Sequence, residues 1–197
     1  MKLIFATSNE NKAIELQKMM GDFIKIDSLK DLFFTDEIEE TEDTLEGNSK
    51  LKAKAVFKEF ERACFADDTG LEVNALNGAP GVYSARYAGP ECDAHQNMDK
   101  LLTDLRDSSN RKARFRTVIT FMDHEELIQF EGIVEGKIIN QKRGTFGFGY
   151  DPLFIPNGSS STFAEMTLEE KNKFSHRARA FSKLKIHLLA RFDIDTI

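Results

Sequence analysis

The chain has 197 residues, 41% of them hydrophobic and 30% charged, a balance that suits one folded domain with a sizeable core and excludes a disordered chain. A formal net charge of −6 argues against a nucleic-acid binder, which would be basic, but leaves room for a small anionic substrate met by a local basic cluster or a divalent cation. Cys64 and Cys92, the two cysteines, fit neither a disulfide framework nor a zinc pattern and read as buried thiols of a reducing compartment; with no secretory leader and no run near the roughly 18 apolar residues of a membrane span, a cytoplasmic protein without a membrane partner is expected.

In chain order, KLIFA (2–6) reads as a buried strand. Thr7, Ser8 and Asn9 then offer turn and N-cap chemistry for a helix through about Met20, with Ile14, Leu16 and Met19 among its apolar positions. FIKID (23–27) is a second strand, and an acidic stretch, DEIEETED, occupies 36–43. The next helix runs from about Thr44 to Arg62, with Ala53, Val56, Phe57 and Phe60 on a buried stripe. CFADD (64–68) predicts a strand that ends at its two acids, followed by a short extended LEV. The Gly- and Pro-rich residues 77–90 predict a loop, and 93–107 a helix. Residues 114–123 and 126–139 alternate and predict an antiparallel pair joined at Asp123-His124-Glu125. A glycine-rich loop, RGTFGFGYDP, leads into strand LFIP. Thr167 and Glu170 have capping-box spacing, and a last helix after Ser175 turns Phe181, Leu184 and Leu188 inward. The pattern predicts a single α/β domain over 1–197, one twisted mixed sheet between helices, with a cleft.

Several constellations could carry chemistry. Asp67 and Asp68 are adjacent, so in a strand they point to opposite faces and only one enters a given cleft. The plain account is a strand-to-turn junction; the functional one is a carboxylate that binds a divalent cation and orients a water. Thr44, Asn48, Lys52, Val56 and Phe60 share one i+4 ridge, so Asn48 and Lys52 continue the core face into a polar pocket, where Lys52 either meets an anion or snorkels at the stripe's edge. The acidic stretch is either a solvated loop or the source of a second metal carboxylate, and composition does not choose among Glu37, Glu39, Glu40, Glu42 and Asp43. TSNENK (7–12) places small polar residues and Lys12 at a helix start, where free N–H groups favour phosphate, though the glycines of a P-loop are missing. In GTFGFGYDP (144–152) glycine allows close approach to a ligand; Phe146 and Phe148 either stack on a base or plug the core. Ser175-His176-Arg177 opens the last helix, with Ser175 as a plain N-cap or Arg177 as a donor to a keto base. His95, His124 and His187 read as surface or edge residues without partners.

Together these pieces resemble the inosine triphosphate pyrophosphatase family, the noncanonical purine nucleoside-triphosphate pyrophosphatases. The residues that carry the resemblance run the length of the chain: Thr7-Ser8-Asn9-Glu10-Asn11-Lys12, Asn48 to Ala53 as N-x-x-x-K-A, ADDTGL at 66–71, GAPGVYSARYAG at 78–89, GFGYDPLF at 147–154 and Glu169 to Arg177. The resemblance implies an elongated α/β fold with a mixed central sheet flanked by helices, two lobes with an active-site cleft between them, and a homodimer. It implies Mg²⁺-dependent hydrolysis of ITP, dITP and XTP to the monophosphate and pyrophosphate, by water attack at the α-phosphorus. Asp68 would be proton acceptor and metal contact, Glu40 the other metal carboxylate, and Lys52 the neutraliser of transition-state charge. Thr7, Ser8, Asn9, Glu10, Asn11, Lys12 and Thr69 would hold the triphosphate, and Thr69 keeps the hydroxyl where many members have Ser. Phe148, Gly149, Tyr150, Asp151, Lys171, His176 and Arg177 would form the base pocket.

Three other classes make different expectations. A Maf-like nucleotide pyrophosphatase would favour pyrimidine or modified nucleotides, but SHR and GFGYDP belong to the purine pattern. A nucleotide sensor on the same fold would not need Asp68, Lys52 and a metal acid together. A purely structural α/β module would make every constellation accidental.

Overall fold

The structure is a computed structural model that describes residues 2–7, 9, 12, 13, 16, 17, 19, 24–36 and 38–192. Its strands are β1 (Lys2–Phe5), β2 (Lys25–Ser28), β3 (Cys64–Val73), β4 (Pro80–Gly81), β5 (Lys112–Met122), β6 (Leu127–Ile138) and β7 (Phe154–Pro156). They form one mixed sheet in the order β2-β1-β3-β5-β6-β7, with β4 on β3. Four longer helices among the described residues are α1 (Leu45–Phe60), α2 (Ala94–Asp104), α3 (Leu168–Phe174) and α4 (His176–Arg191). Lys12, Ala13, Leu16, Gln17 and Met19 are also helical; Ile14, Met20 and Phe23, named above, lie outside the described residues. The α/β architecture expected from the sequence is present.

The chain divides into two compact units, Met1–Asp68 with Thr117–Gly132 and Ala178–Ile197, and Thr69–Arg116 with Ile133–Arg177. In the first unit β1 is parallel to β2 (Lys2↔Lys25) and to β3 (Ile4↔Cys64). Strand alternation sorts the side chains into two cores. Leu3, Phe5 and Phe65 meet Leu16 and the α4 residues Phe181, Leu184 and Leu188 on one face. Phe5 and Phe65 stack at 4.7 Å, and Phe181 stands edge-on to both, at 6.0 and 5.9 Å. Ile4, Ala6, Cys64 and Ala66 face the other way, onto Ala53 and Val56 of α1. α1 starts where Thr44 caps it, accepting a hydrogen bond from Gly47 N–H at 3.0 Å.

In the second unit Leu71 and Val73 of β3 join Ala113 and Phe115 of β5, Val134 and Ile138 of β6, and Met98 and Leu101 of α2 in a third core. Asp93 caps α2, accepting from Gln96 N–H at 2.7 Å. β7 is antiparallel to β6 (Gly136↔Pro156), and their backbones approach so closely that a Cβ on Gly136 would lie 2.3 Å from the Ile155 carbonyl oxygen.

Three expectations need correction. CFADD does not end at its acids: β3 continues through Thr69 and Gly70 to Val73. Gly70 permits this, because β4 lies so close that a Cβ there would sit 2.6 Å from the Gly81 carbonyl oxygen. Cys64 is buried, but Cys92 is exposed. His187 and His124 have partners: Glu126 Oε1 lies 2.6 Å from His187 Nε2, and the Glu61 carbonyl 3.0 Å from His124 Nε2. No described helix is long and apolar enough to cross a membrane.

Candidate active site

Because β3 runs on as a strand, Asp67 and Asp68 are both interior to it, 1% and 6% exposed. Alternation puts Asp67 on the Phe65 face, with the N-terminal helix, and Asp68 on the Ala66 face, with α1. Each acid accordingly meets a lysine from its own side. Asp67 Oδ1 accepts a hydrogen bond from Lys12 Nζ at 3.0 Å. Asp68 Oδ1 lies 3.6 Å from Lys52 Nζ.

Lys52 does not snorkel. It is 9% exposed on the buried ridge of α1 with Asn48 and Val56, and its ammonium donates to Glu40 Oε1 at 2.5 Å. Among the described residues of the acidic stretch Glu40 therefore meets the lysine, while Glu37 lies outside the described residues. Burial works against the Lys52 charge, yet Asp68, Glu40 and Asp67 together hold its pKa above the ordinary lysine value. Burial pushes Asp68 up to about 6; Lys52 and Lys12 pull it down, while Glu40 and Asp67 push it further up.

Of the triphosphate residues expected near the N-terminus, Thr7, Asn9 and Lys12 are described, while Ser8, Glu10 and Asn11 lie outside the described residues. Thr7 Oγ1 accepts from Asn9 N–H at 3.1 Å. Asn9 caps the helix, its Oδ1 accepting from Lys12 N–H at 3.2 Å. Thr69 follows Asp68 in β3 and is partly exposed.

The base-pocket residues gather in the second unit. Asp151, Lys171, His176 and Arg177 are each 3% exposed or less. Lys171 sits on α3, whose capping box is formed in both directions by Thr167 and Glu170. Lys171 Nζ donates to Asp151 Oδ2 at 2.8 Å, and the same oxygen accepts from Phe148 N–H at 2.9 Å. Gly147, at φ +76, makes room for that carboxylate: a Cβ there would lie 2.1 Å from Asp151 Oδ2. Lys171 Nζ and the Arg177 guanidinium stand 4.9 and 5.3 Å from the Phe148 ring centroid. His176 stacks on Phe115 at 4.7 Å. Tyr150 is buried in the core, its hydroxyl donating to the Ser84 carbonyl at 2.9 Å, and Gly149 adjoins it at φ +61. The plug reading of the loop fails for Phe146, which is 61% exposed, and Phe148 is only half-buried against its two cations.

The model of the Ham1 family matches residues 3–187. The chain belongs to the Ham1 family. Among curated relatives, this Ham1 protein is 51% identical over 180 residues to the dITP/XTP pyrophosphatase of Flavobacterium psychrophilum, covering 91% of this chain and 95% of the relative. It is 51% identical over 184 residues to the dITP/XTP pyrophosphatase of Flavobacterium johnsoniae, covering 93% and 96%. The Ham1 protein of Staphylococcus aureus superposes with a TM-score of 0.89 at 36% identity, covering 97% of this chain and all of the other (100%). The family read from the motifs is thus the family found.

The donor set of this Ham1 chain suits a hard divalent cation. Two carboxylates, Glu40 and Asp68, converge on one ammonium, and burial with neighbouring negative charge makes ionised Asp68 costly on its own. Among the described residues no group of three or more His, Cys, Asp and Glu side chains is placed to hold a metal ion. Mg²⁺ needs no such cage, since it takes one or two carboxylates together with water and substrate phosphates. The pairing of Lys12 with Asp67 escaped the sequence reading. The available signal was strand parity, which assigns Asp67 to the face that receives the N-terminal helix.

Proposed function

We propose that this Ham1 protein is a noncanonical purine nucleoside-triphosphate pyrophosphatase. It hydrolyses ITP, dITP and XTP to the monophosphate and pyrophosphate, and so keeps deaminated purines out of DNA and RNA. The observation that carries the reading is the buried Lys52 ammonium between Glu40 and Asp68, an arrangement that suits hydrolysis of a phosphoric anhydride by pairing a proton acceptor with a fixed positive charge. The relatives bearing the name dITP/XTP pyrophosphatase support it.

Asp68 takes the proton of the attacking water. Its carboxyl, raised to about 6, is ionised near neutrality yet more basic than an ordinary aspartate. Lys52, kept charged by its acidic neighbours, neutralises charge that builds on the phosphate oxygens in the transition state. Lys12, oriented by Asp67, and the hydroxyls of Thr7 and Thr69 hold phosphate, as do Asn9 and the N–H groups of the helix start; Ser8, Glu10 and Asn11 belong to this group by resemblance. Glu40 and Asp68 would hold Mg²⁺, which supplies Lewis-acid polarisation of phosphate oxygens and charge neutralisation.

Base selection falls to Arg177 and Lys171 as donors, with Phe148, Gly149, Tyr150, Asp151 and His176 shaping and fixing their surroundings. A keto oxygen at C6 accepts from such donors. The amino group of adenine would leave buried donors without an acceptor, which rejects ATP. The reading includes, from the family resemblance, a homodimer working in the cytoplasm; sedimentation velocity tests the first part.

The deciding experiment follows pyrophosphate and orthophosphate release from ITP, XTP, ATP, GTP and dTTP, with and without Mg²⁺. Mg²⁺-dependent pyrophosphate from ITP and XTP, with little from ATP, is expected. Orthophosphate as the first product would place attack at the terminal phosphorus and refute the mechanism.

A further inference from the structure

Glu40 reaches Lys52 from a stretch of chain that forms no helix or strand: residues 38–42 have no regular backbone structure. A carboxylate on such a segment would ordinarily sample many positions, each lost contact weakening its hold on a neighbouring cation. Here the segment is held on both sides of Glu40. Two residues earlier, Ile38 packs against the core beneath α1. Two residues later, Glu42 is gripped through its backbone by Asn48: Asn48 Oδ1 accepts from Glu42 N–H at 2.9 Å, and Asn48 Nδ2 donates to the Glu42 carbonyl at 3.1 Å. Asn48 is fully buried (0%), one helical turn before Lys52 on the same ridge.

A second observation points to the same place. A Cβ on Gly47 would lie 2.6 Å from Glu42 Cβ and 2.9 Å from Glu42 Cγ. Those atoms are the root of the Glu42 side chain, not its flexible end, so only glycine lets the segment settle on the first turn of α1. Gly47 and Asn48 thus form a seat for Glu42.

We infer that Gly47 and Asn48 are positioning residues of the active centre: by seating the Glu42 backbone they hold the Glu40 carboxylate against Lys52 and Asp68, ready to take a divalent cation. The inference rests on the pyrophosphatase reading and deepens it. A polar group that orients a metal-binding side chain without touching the metal commonly changes metal affinity when removed. Asn48 does this through main chain, which leaves the Glu40 side chain free to exchange its lysine contact for a cation.

The test uses the intact protein with Asn48→Ala, Gly47→Ala, Glu40→Gln and the double variant Asn48→Ala/Glu40→Gln. Mn²⁺ titration, read by the spin resonance of the free ion, gives cation affinity without turnover. Backbone hydrogen exchange reads residues 38–44. Asn48→Ala is expected to weaken Mn²⁺ binding by about 10- to 100-fold, and Gly47→Ala to weaken it in the same direction. Exchange at 38–44 should accelerate while β3 and α4 keep their protection. The double variant should bind no more weakly than Glu40→Gln alone, because Asn48 acts through Glu40. Losses that add in the double variant, wild-type Mn²⁺ affinity in Asn48→Ala, or a wild-type protein that takes up no Mn²⁺ would each overturn the inference. If Asn48→Ala loses protection throughout, Gly47→Ala decides by the same criteria. Failure of the wild type to release pyrophosphate from ITP would instead sink the pyrophosphatase reading, and the titration and exchange would still decide the seat.

Discussion

Asp67 and Asp68 are consecutive residues of β3, yet each faces a different lysine, Lys12 at 3.0 Å and Lys52 at 3.6 Å. The strand's two-residue period separates two like charges onto opposite faces of the sheet. The same separation gives them different work: Asp67 orients a cationic side chain, while Asp68 shares Lys52 with Glu40.

Replacing Asp68 by Asn should lower kcat for ITP by about 10²- to 10⁴-fold, the usual worth of a positioned general base. The fold should survive, because Asn removes a buried charge rather than a packed group. Asp67→Asn should act more on KM, since it loosens Lys12. Steady-state kinetics with thermal melts separate the two, and near-normal turnover in Asp68→Asn would remove Asp68 from its role.

The raised Asp68 carboxyl makes two pH predictions. The group must be ionised to accept a proton, so kcat/KM at low Mg²⁺ should fall as pH drops through about 6; added Mg²⁺ should move that limb to lower pH. Its folded pKa exceeds its ordinary value of 3.8, so its contribution to stability is fully present below that value and is lost as pH rises through about 6. Metal-free wild-type protein should therefore lose melting temperature between about 4 and 6 relative to Asp68→Asn, read by melts across that pH range.

Lys52→Met should reduce kcat by about 10²- to 10³-fold while KM changes little, as expected of an interaction that matters most in the transition state. It also leaves Glu40 and Asp68 facing each other without their shared ammonium. Its metal-free stability should fall and recover on adding Mg²⁺, which a melt with and without the ion will show.

Asp151→Ala removes the carboxylate that lies 2.8 Å from the Lys171 ammonium, in a pair whose side chains are each 4% exposed. Breaking such a buried pair costs about 3–5 kcal/mol, measurable by urea unfolding. The variant should also lose discrimination between ITP and ATP, because Phe148 N–H and Lys171 share the lost carboxylate oxygen. Arg177→Met should erode the same discrimination with a smaller stability change.

The sequence alone determined the α/β class, because period-2 and period-3.6 apolar patterns register directly in residue order, and it determined the family, because six short motifs fall in one order along the chain. It also marked Lys52 and Asn48 as a polar continuation of a buried ridge, a matter of helical spacing within one element. Tertiary structure decided what spacing cannot encode. Whether CFADD stops or runs on depended on β4 coming close enough to require Gly70. Which of the acids in 36–43 meets Lys52 depended on where Asn48 seats Glu42, since a segment with no period of its own takes its position from what it packs against. Asp67's lysine likewise came from 55 residues away, and contacts that distant depend on the folded sheet rather than on residue order.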